Sequence, residues 1–198
     1  MAVCCSNVYD EKRETMLYIM RHGRTDWNEL RKMQGRTDIP LNETGREMAR
    51  KAHDEYMDVH FDVCFASPLI RAKETAEIVL AGRDVPILID ERLAEMGFGE
   101  YEGLACSFDI PDCPINVFFK DPANYKPVGG AESMEELFAR TGEFIEEKVR
   151  PLVDAGKDVL IVGHGAMNSS IICRMNGWPI ERFWDAGLEN CKLMRVPC

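Results

Sequence analysis

The chain has 198 residues, 45% of them hydrophobic and 29% charged, and a net charge of -10 at pH 7; this is the composition of a globular protein with a proper core, not of a disordered chain. The acidic balance argues against nucleic acid or an anionic membrane as a partner. An anionic substrate would need its own cluster of cations, which can prevail locally because screening confines the global repulsion to about 8 Å.

Residues 1–15 are polar and charged, without an apolar stretch of signal-peptide length, and read as a flexible lead-in. No segment approaches the ~20 apolar residues of a membrane helix. Cys4, Cys5, Cys64, Cys106, Cys113, Cys173, Cys191 and Cys198 show neither C-x-x-C nor zinc-ligand spacing. Reduced thiols in a cytoplasmic protein are therefore expected.

Leu17 to Met20 is a short apolar strand that runs into Arg21-His22-Gly23. Asn42 is placed to cap a helix reaching about Asp58, with Met48, Ala49, Ala52 and Tyr56 at helical spacing. Phe61 to Ala66 reads as a buried strand, and Ser67-Pro68 as the cap and first-turn proline of the next helix. That helix carries Leu69, Ala72, Ala76 and Val79 and ends near Gly82. Pro86 to Ile89 is a short strand, followed by a glycine-rich segment from Glu95 to Gly103.

Residues 104–130 mix Pro111, Pro114, Pro122 and Pro127 with Phe108, Phe118, Phe119 and Tyr125, so an irregular lid or insert is expected there. Ser133-Met134-Glu135-Glu136 is a capping box. Its helix places Leu137, Phe138, Phe144, Ile145 and Val149 on one side, with an interruption or kink at Pro151. The acids Glu135, Glu136, Glu143, Glu146 and Glu147 form its solvated face. Asp158 to Gly163 is a second unbroken apolar strand, ending in His164-Gly165 before another helix, and Cys191 to Val196 a closing edge strand. Helices alternating with fully apolar strands predict an α/β fold, a three-layer α/β/α sandwich with a mainly parallel mixed sheet, built as one domain over 16–198.

Two apolar strands end in His-Gly, and a third ends in Ser67-Pro68 with Arg71 shortly after. If these strands are parallel, Arg21, His22, Arg71 and His164 converge on one sheet edge, where α/β proteins hold their ligands. Arginines there favour phosphate, and a neutral imidazole can attack phosphorus. Helix starts after Pro68 and Gly165 would add amide donors. Arg21 has a minor alternative reading as a surface ion-pair partner, and His22 or His164, taken alone, reads as a core histidine. His53 and His60 read as ordinary surface residues, and no metal-ligand spacing is present.

The pattern resembles the histidine phosphatase superfamily, which includes the cofactor-dependent phosphoglycerate mutases. The matching stretches are Arg21-His22-Gly23-Arg24-Thr25-Asp26-Trp27-Asn28, Gln34-Gly35-Arg36 through Leu41, Ser67-Pro68-Leu69-Ile70-Arg71-Ala72, Glu95 through Gly103, Gly129 through Ser133, and Val162-Gly163-His164-Gly165. The resemblance implies that His22 is the nucleophile and forms a phosphohistidine. It implies that Arg21, Arg71 and His164 hold the phosphoryl oxygens, and that Glu95 is the general acid. Thr25, Asn28, Gly35 and Gly165 would complete the phosphate site. Glu100 and Glu102 are close enough in sequence to share the role of Glu95, and Met96, Phe98 and Tyr101 either wall the pocket or pack the loop. No metal and no cofactor is implied, because the arginines supply the positive charge.

Mutases of this family carry paired arginines and a lysine in the insert. Here residues 104–128 hold Lys120 and Lys126 but no arginine, with Asp109, Asp112 and Asp121 among them. The expectation is therefore a phosphatase of the histidine acid phosphatase type acting on a small phosphorylated metabolite. A mutase and a phosphate-binding regulator without turnover are the alternatives. The oligomeric state stays open, with a homodimer among the possibilities.

Overall fold

The computed structural model describes residues 15–105, 110 and 112–196. Its sheet has five strands, β1 (Leu17–Arg21), β2 (Val63–Ala66), β3 (Ile87–Ile89), β4 (Val159–Gly163) and β5 (Leu193–Val196), in the order β3-β2-β4-β1-β5. All neighbours are parallel except β5, which runs antiparallel to β1. The register pairs Arg21 with Gly163 and Ala66 with Val162. His22, Ser67 and His164, the residues that follow β1, β2 and β4, therefore leave the sheet along the same edge.

The strands are apolar throughout because both faces of the sheet are covered. Leu17, Ile19, Phe65, Val159 and Ile161 belong to a core shared with helices α5 (Met134–Phe144) and α7 (Gly165–Asn176). Their alternate neighbours Tyr18, Met20, Cys64, Leu160 and Val162 pack with Ala49 and Ala52 of α2 (Glu43–Glu55) and Ala72 and Ala76 of α3 (Ile70–Val79). Small alanines let α2 and α3 lie close, and each fully buried Leu or Ile contributes about 1.5–3 kcal/mol. The result is the expected three-layer α/β/α arrangement.

Several local expectations change. Asn42 caps α2 through Gly45 N, but the helix stops at Glu55, short of Asp58. Ser67 and Pro68 do not open α3: Leu69 is its N-cap residue, and the Ile70 amide is met by Asp38 Oδ1 at 2.7 Å. A carboxylate from a distant loop thus replaces the local serine, which is engaged elsewhere. Thr25 and Asn28 form a capping box around a single turn, α1 (Asp26–Glu29), too short to show periodicity in the sequence. The Ser133 capping box forms as expected, and its acids are exposed. Before Pro151 the chain widens into a π turn over Ile145–Val149 and then continues as α6 (Arg150–Asp154). The wide turn accommodates a proline that has no N–H to donate.

The insert is only partly irregular. It carries α4 (Asn116–Lys120) and a 3₁₀ turn at Pro122–Asn124. Phe118 is fully buried among Phe98, Tyr125, Phe183 and Trp184, and the Trp184 Nε1–H donates to the Phe118 carbonyl at 3.0 Å. The flexible lead-in read over 1–15 lies, apart from Thr15, outside the described residues, as do Cys106 to Asp109 and Pro111 of the insert. Among the described residues Cys64, Cys113, Cys173 and Cys191 are free thiols, and no helix is long and apolar enough to cross a membrane.

Candidate active site

β1 delivers His22 to the sheet edge with its backbone fixed. The His22 amide donates to the Gly163 carbonyl at 2.9 Å, Asn190 Nδ2 donates to the His22 carbonyl, and Gly23 N donates to Thr75 Oγ1. His22 Nδ1 lies 2.6 Å from the Gly23 carbonyl, an acceptor that forces the proton onto Nδ1 and leaves Nε2 with its lone pair. Gly23 allows this turn because a Cβ there would sit 2.5 Å from the Gly45 carbonyl oxygen. Burial, together with the charges of Arg71 and Arg21, holds His22 well below the usual imidazole value of 6.5. The ring is neutral at physiological pH.

β4 delivers His164, whose ring centroid is 5.1 Å from that of His22. Arg71 Nε donates to His164 Nδ1 at 3.2 Å, so the remaining proton sits on Nε2 and is donated to Ser67 Oγ at 2.7 Å. Burial and the Arg71 charge keep this imidazole neutral too. Arg71 has no exposed surface; its terminal nitrogens donate to the carbonyls of Thr37 at 3.0 Å and Gly35 at 2.7 Å. These three bonds leave two of its five N–H donors. Burial pushes Arg71 down to about 10, still cationic at neutral pH.

Arg21 donates from Nη1 to the Leu188 carbonyl at 3.3 Å, while its Nε is buried with no acceptor among the described residues. Such an unpaired buried donor costs about 1–3 kcal/mol unless an anion meets it. Glu95 stands nearby: its Oε1 accepts from Met96 N at 2.8 Å and Met167 N at 3.0 Å, and its Oε2 accepts from Ala166 N at 3.2 Å. The Ala166 and Met167 amides of α7 are thus taken by Glu95, and that of Ile70 in α3 by Asp38, whereas the sequence predicts the helix starts as donors to a bound anion. Two protein carboxylates have claimed these amides first.

A cavity of about 400 Å³ opens here, lined by Arg21, His22, Asn28, Glu95, Gly165 and Phe98, and also by Arg31, Lys32, Gln34, Phe119 and Trp184. Of the predicted set, Arg21, His22, Asn28, Glu95 and Gly165 line it directly. Arg71 and His164 stand behind, joined to each other. Thr25 is buried, its hydroxyl at 2.6 Å from Gln34 Oε1, and Gly35 meets the site only through its carbonyl on Arg71. Glu100 is exposed. Glu102 accepts from Arg36 N, Thr37 N, Thr37 Oγ1 and Phe98 N. Although its burial acts the other way, these hydrogen bonds hold its carboxyl below the ordinary range. Glu102 ties the loop whose Gly35 and Thr37 carbonyls hold Arg71 to the segment at Phe98, and of the three acids Glu95 alone lines the cavity. Phe98 walls the cavity, Met96 is core, and Tyr101 packs the insert.

Sequence reasoning missed Arg31, Lys32, Gln34, Phe119 and Trp184, none of which carries a local signal. Ser67 had one, its position at a strand end beside those of His22 and His164. His53 bonds the Val79 carbonyl and His60 faces Asp62. His60, Asp62 and Asp158 bring ligand-type atoms within 4.8 Å of one another, at the opposite edge of the sheet, where Asp62 already accepts from Lys157 and Asp158 N.

Residues 17–198 match the family model of the histidine phosphatase superfamily, branch 1. The chain belongs to that superfamily. It is 34% identical over 180 residues to the uncharacterized phosphatase PhoE of Bacillus subtilis, spanning 89% of this chain and 87% of that protein. To the 2,3-bisphosphoglycerate-dependent phosphoglycerate mutase 2 of Gloeobacter violaceus it is 31% identical, over 89% of this chain and 82% of that one. The solved structure of Bacillus stearothermophilus YhfR superposes with a TM-score of 0.81 at 32% identity, covering 91% of this chain and 90% of the other. As a histidine phosphatase superfamily member the chain is an enzyme of the phosphatase or phosphoglycerate mutase kind.

Proposed function

We propose that this histidine phosphatase hydrolyses small phosphomonoesters in two steps, through a phosphohistidine on His22, with no metal or cofactor required. The observation that carries the reading is the 2.6 Å contact from His22 Nδ1 to the Gly23 carbonyl, which leaves Nε2 free as the attacking atom. In the first step the Nε2 lone pair forms a bond to phosphorus, and the bond from phosphorus to the ester oxygen breaks. A proton from Glu95 goes to that oxygen, so a neutral alcohol leaves. In the second step the Glu95 carboxylate takes a proton from water, the water oxygen attacks phosphorus, and the P–N bond breaks to release inorganic phosphate. Arg21 Nε and the two remaining N–H groups of Arg71 supply donors for the transferring group, whose charge they stabilise. His164 supports Arg71 rather than touching the phosphoryl group itself.

Radiolabelled substrate tests this. Wild type should retain acid-labile, base-stable phosphate, and His22→Ala should retain none and lose hydrolysis. Hydrolysis by His22→Ala at the wild-type rate would refute the assignment. The mutase reading has support in the mutase-named relative. The absence of arginine from residues 104–130 favours hydrolysis. Rapid interconversion of phosphoglycerates primed by bisphosphoglycerate, with little phosphate release, would establish the mutase instead.

A further inference from the structure

Glu95 stands on a stretch of chain that no helix or strand holds. A 3₁₀ turn over Glu91–Leu93 ends just before it, another begins at Gly99, and residues 94–98 belong to neither. Such a backbone keeps its place only if its carbonyls and amides find partners elsewhere. Here those partners are side chains. Arg140 of α5 donates from Nη1 to the Arg92 and Ala94 carbonyls, and Arg36 Nε donates to the Glu95 carbonyl at 3.4 Å. Gly97 N donates to Glu132 Oε2 at 3.2 Å, and Glu132 N returns a bond to the Gly97 carbonyl at 2.8 Å.

One ion pair joins these anchors. Arg140 Nε meets Glu132 Oε1 at 2.7 Å and Arg140 Nη2 meets Oε2 at 3.0 Å, a bidentate pair whose side chains are only 15% and 8% exposed, so water screens it little. Arg36 Nη2 adds a further charged donor to Oε1 at 3.1 Å. With the Gly97 amide, the donors converging on this carboxylate fill its lone-pair sites. Glu132 and Arg140 line a separate groove with Arg36 and Gly97, whereas the Glu95 carboxyl lines the cavity and meets the amides of Ala166 and Met167. The acid is thus held by its carboxyl to α7 and by its backbone to α5.

We infer that Glu132 and Arg140 are positioning residues for proton transfer: their ion pair fixes the backbone on both sides of Glu95 and thereby sets where its carboxyl meets the leaving oxygen. This rests on the acid role that the proposed reaction gives Glu95. A misplacement of about 1 Å at such a group costs about a hundredfold in rate, so a pair that never contacts the substrate can govern the step.

The test compares kcat/KM on butyl phosphate and on p-nitrophenyl phosphate; kcat/KM reports the steps up to departure of the alcohol and leaves out hydrolysis of the phosphoenzyme. Glu132→Gln keeps the volume but turns one acceptor oxygen into a donor, so half of the converging donors lose their acceptor. Arg140→Lys keeps the charge but not the planar fork that reaches two carbonyls and both carboxylate oxygens. On butyl phosphate each variant should lose about tenfold or more. On p-nitrophenyl phosphate, whose leaving group needs no proton, each should lose less than about threefold. Placed on Glu95→Gln, neither should slow butyl phosphate further, because residues acting as a unit are not additive. Equal losses on the two esters, as a general loosening of the fold would give, overturn the inference. Losses that multiply with that of Glu95→Gln, or wild-type rates in both variants, overturn it as well. If circular dichroism shows that neither variant folds, the network belongs to the fold and the inference falls. Failure of the acid reading shows separately, in Glu95→Gln alone losing equally on both esters, and the additivity then still reports whether the pair acts through Glu95.

Discussion

Two imidazoles, His22 and His164, are buried and neutral, and both must become protonated when the unfolded chain meets acid. Their folded values lie well below 6.5 because burial and the Arg71 charge oppose protonation. A lowered folded value means that the unfolded state binds more protons below pH 6.5. The stability that these rings contribute is therefore complete above pH 6.5 and is lost as pH falls from there toward the folded values. While the rings stay neutral in the fold, each contributes a loss of about 1.4 kcal/mol for each pH unit below 6.5, or about 2.7 kcal/mol together. The carboxylates with lowered values, such as Asp90 and Glu102, start from 3.8 and 4.5 and so act below this window. With a urea slope of about 2 kcal/mol/M, the midpoint should drop by about 1.3 M for each such pH unit. Urea titrations followed by circular dichroism across the window would measure it, and His22→Asn should reduce the drop by half. A midpoint independent of pH, or a drop unchanged in His22→Asn, would refute the reasoning.

Glu95→Gln should lower kcat on alkyl phosphates by about 10²–10⁴ and much less on p-nitrophenyl phosphate, whose leaving group needs no proton; equal losses on both would exclude an acid role. Gly165→Ala should leave the melting temperature unchanged, because the added Cβ meets Glu95 Oε2 at 3.7 Å and Arg21 Cζ at 3.8 Å, ordinary contacts. It should raise KM and the Kd for phosphate, because the methyl enters the cavity; unchanged kinetics would remove Gly165 from the site. Ser67→Ala strands the buried His164 Nε2–H and should cost about 1–3 kcal/mol in chemical denaturation, together with weaker vanadate inhibition through a loosened Arg71. Full stability with normal inhibition would show that the Ser67 contact positions nothing.

The sheet edge was legible because β1 and β4 are apolar runs ending abruptly in His-Gly, and parallel pairing then leaves no choice about where His22 and His164 emerge. Arg71 was legible from its place just beyond the β2 end. Ser67 was misread because a serine before proline carries the same local signature whether it caps a helix or holds a histidine; only the Asp38 carboxylate on Ile70 N decides between them. The amides of α7 were assigned to substrate for a similar reason, as no local feature shows that Glu95 arrives to accept them. The pairing of Phe119 with Trp184 spans too much chain for any periodicity to reveal.

The stacked pair of Phe119 and Trp184 brings together the insert and the stretch before β5, neither of which is part of the sheet. The phosphoryl end of the pocket depends on strand register, which tolerates almost no alteration, whereas this wall depends on two connecting segments free to vary in length and composition. Inheritance of the chemistry and acquisition of a new leaving-group preference can therefore proceed on separate parts of the chain, so descendants of one scaffold can diversify in diet while sharing a common engine.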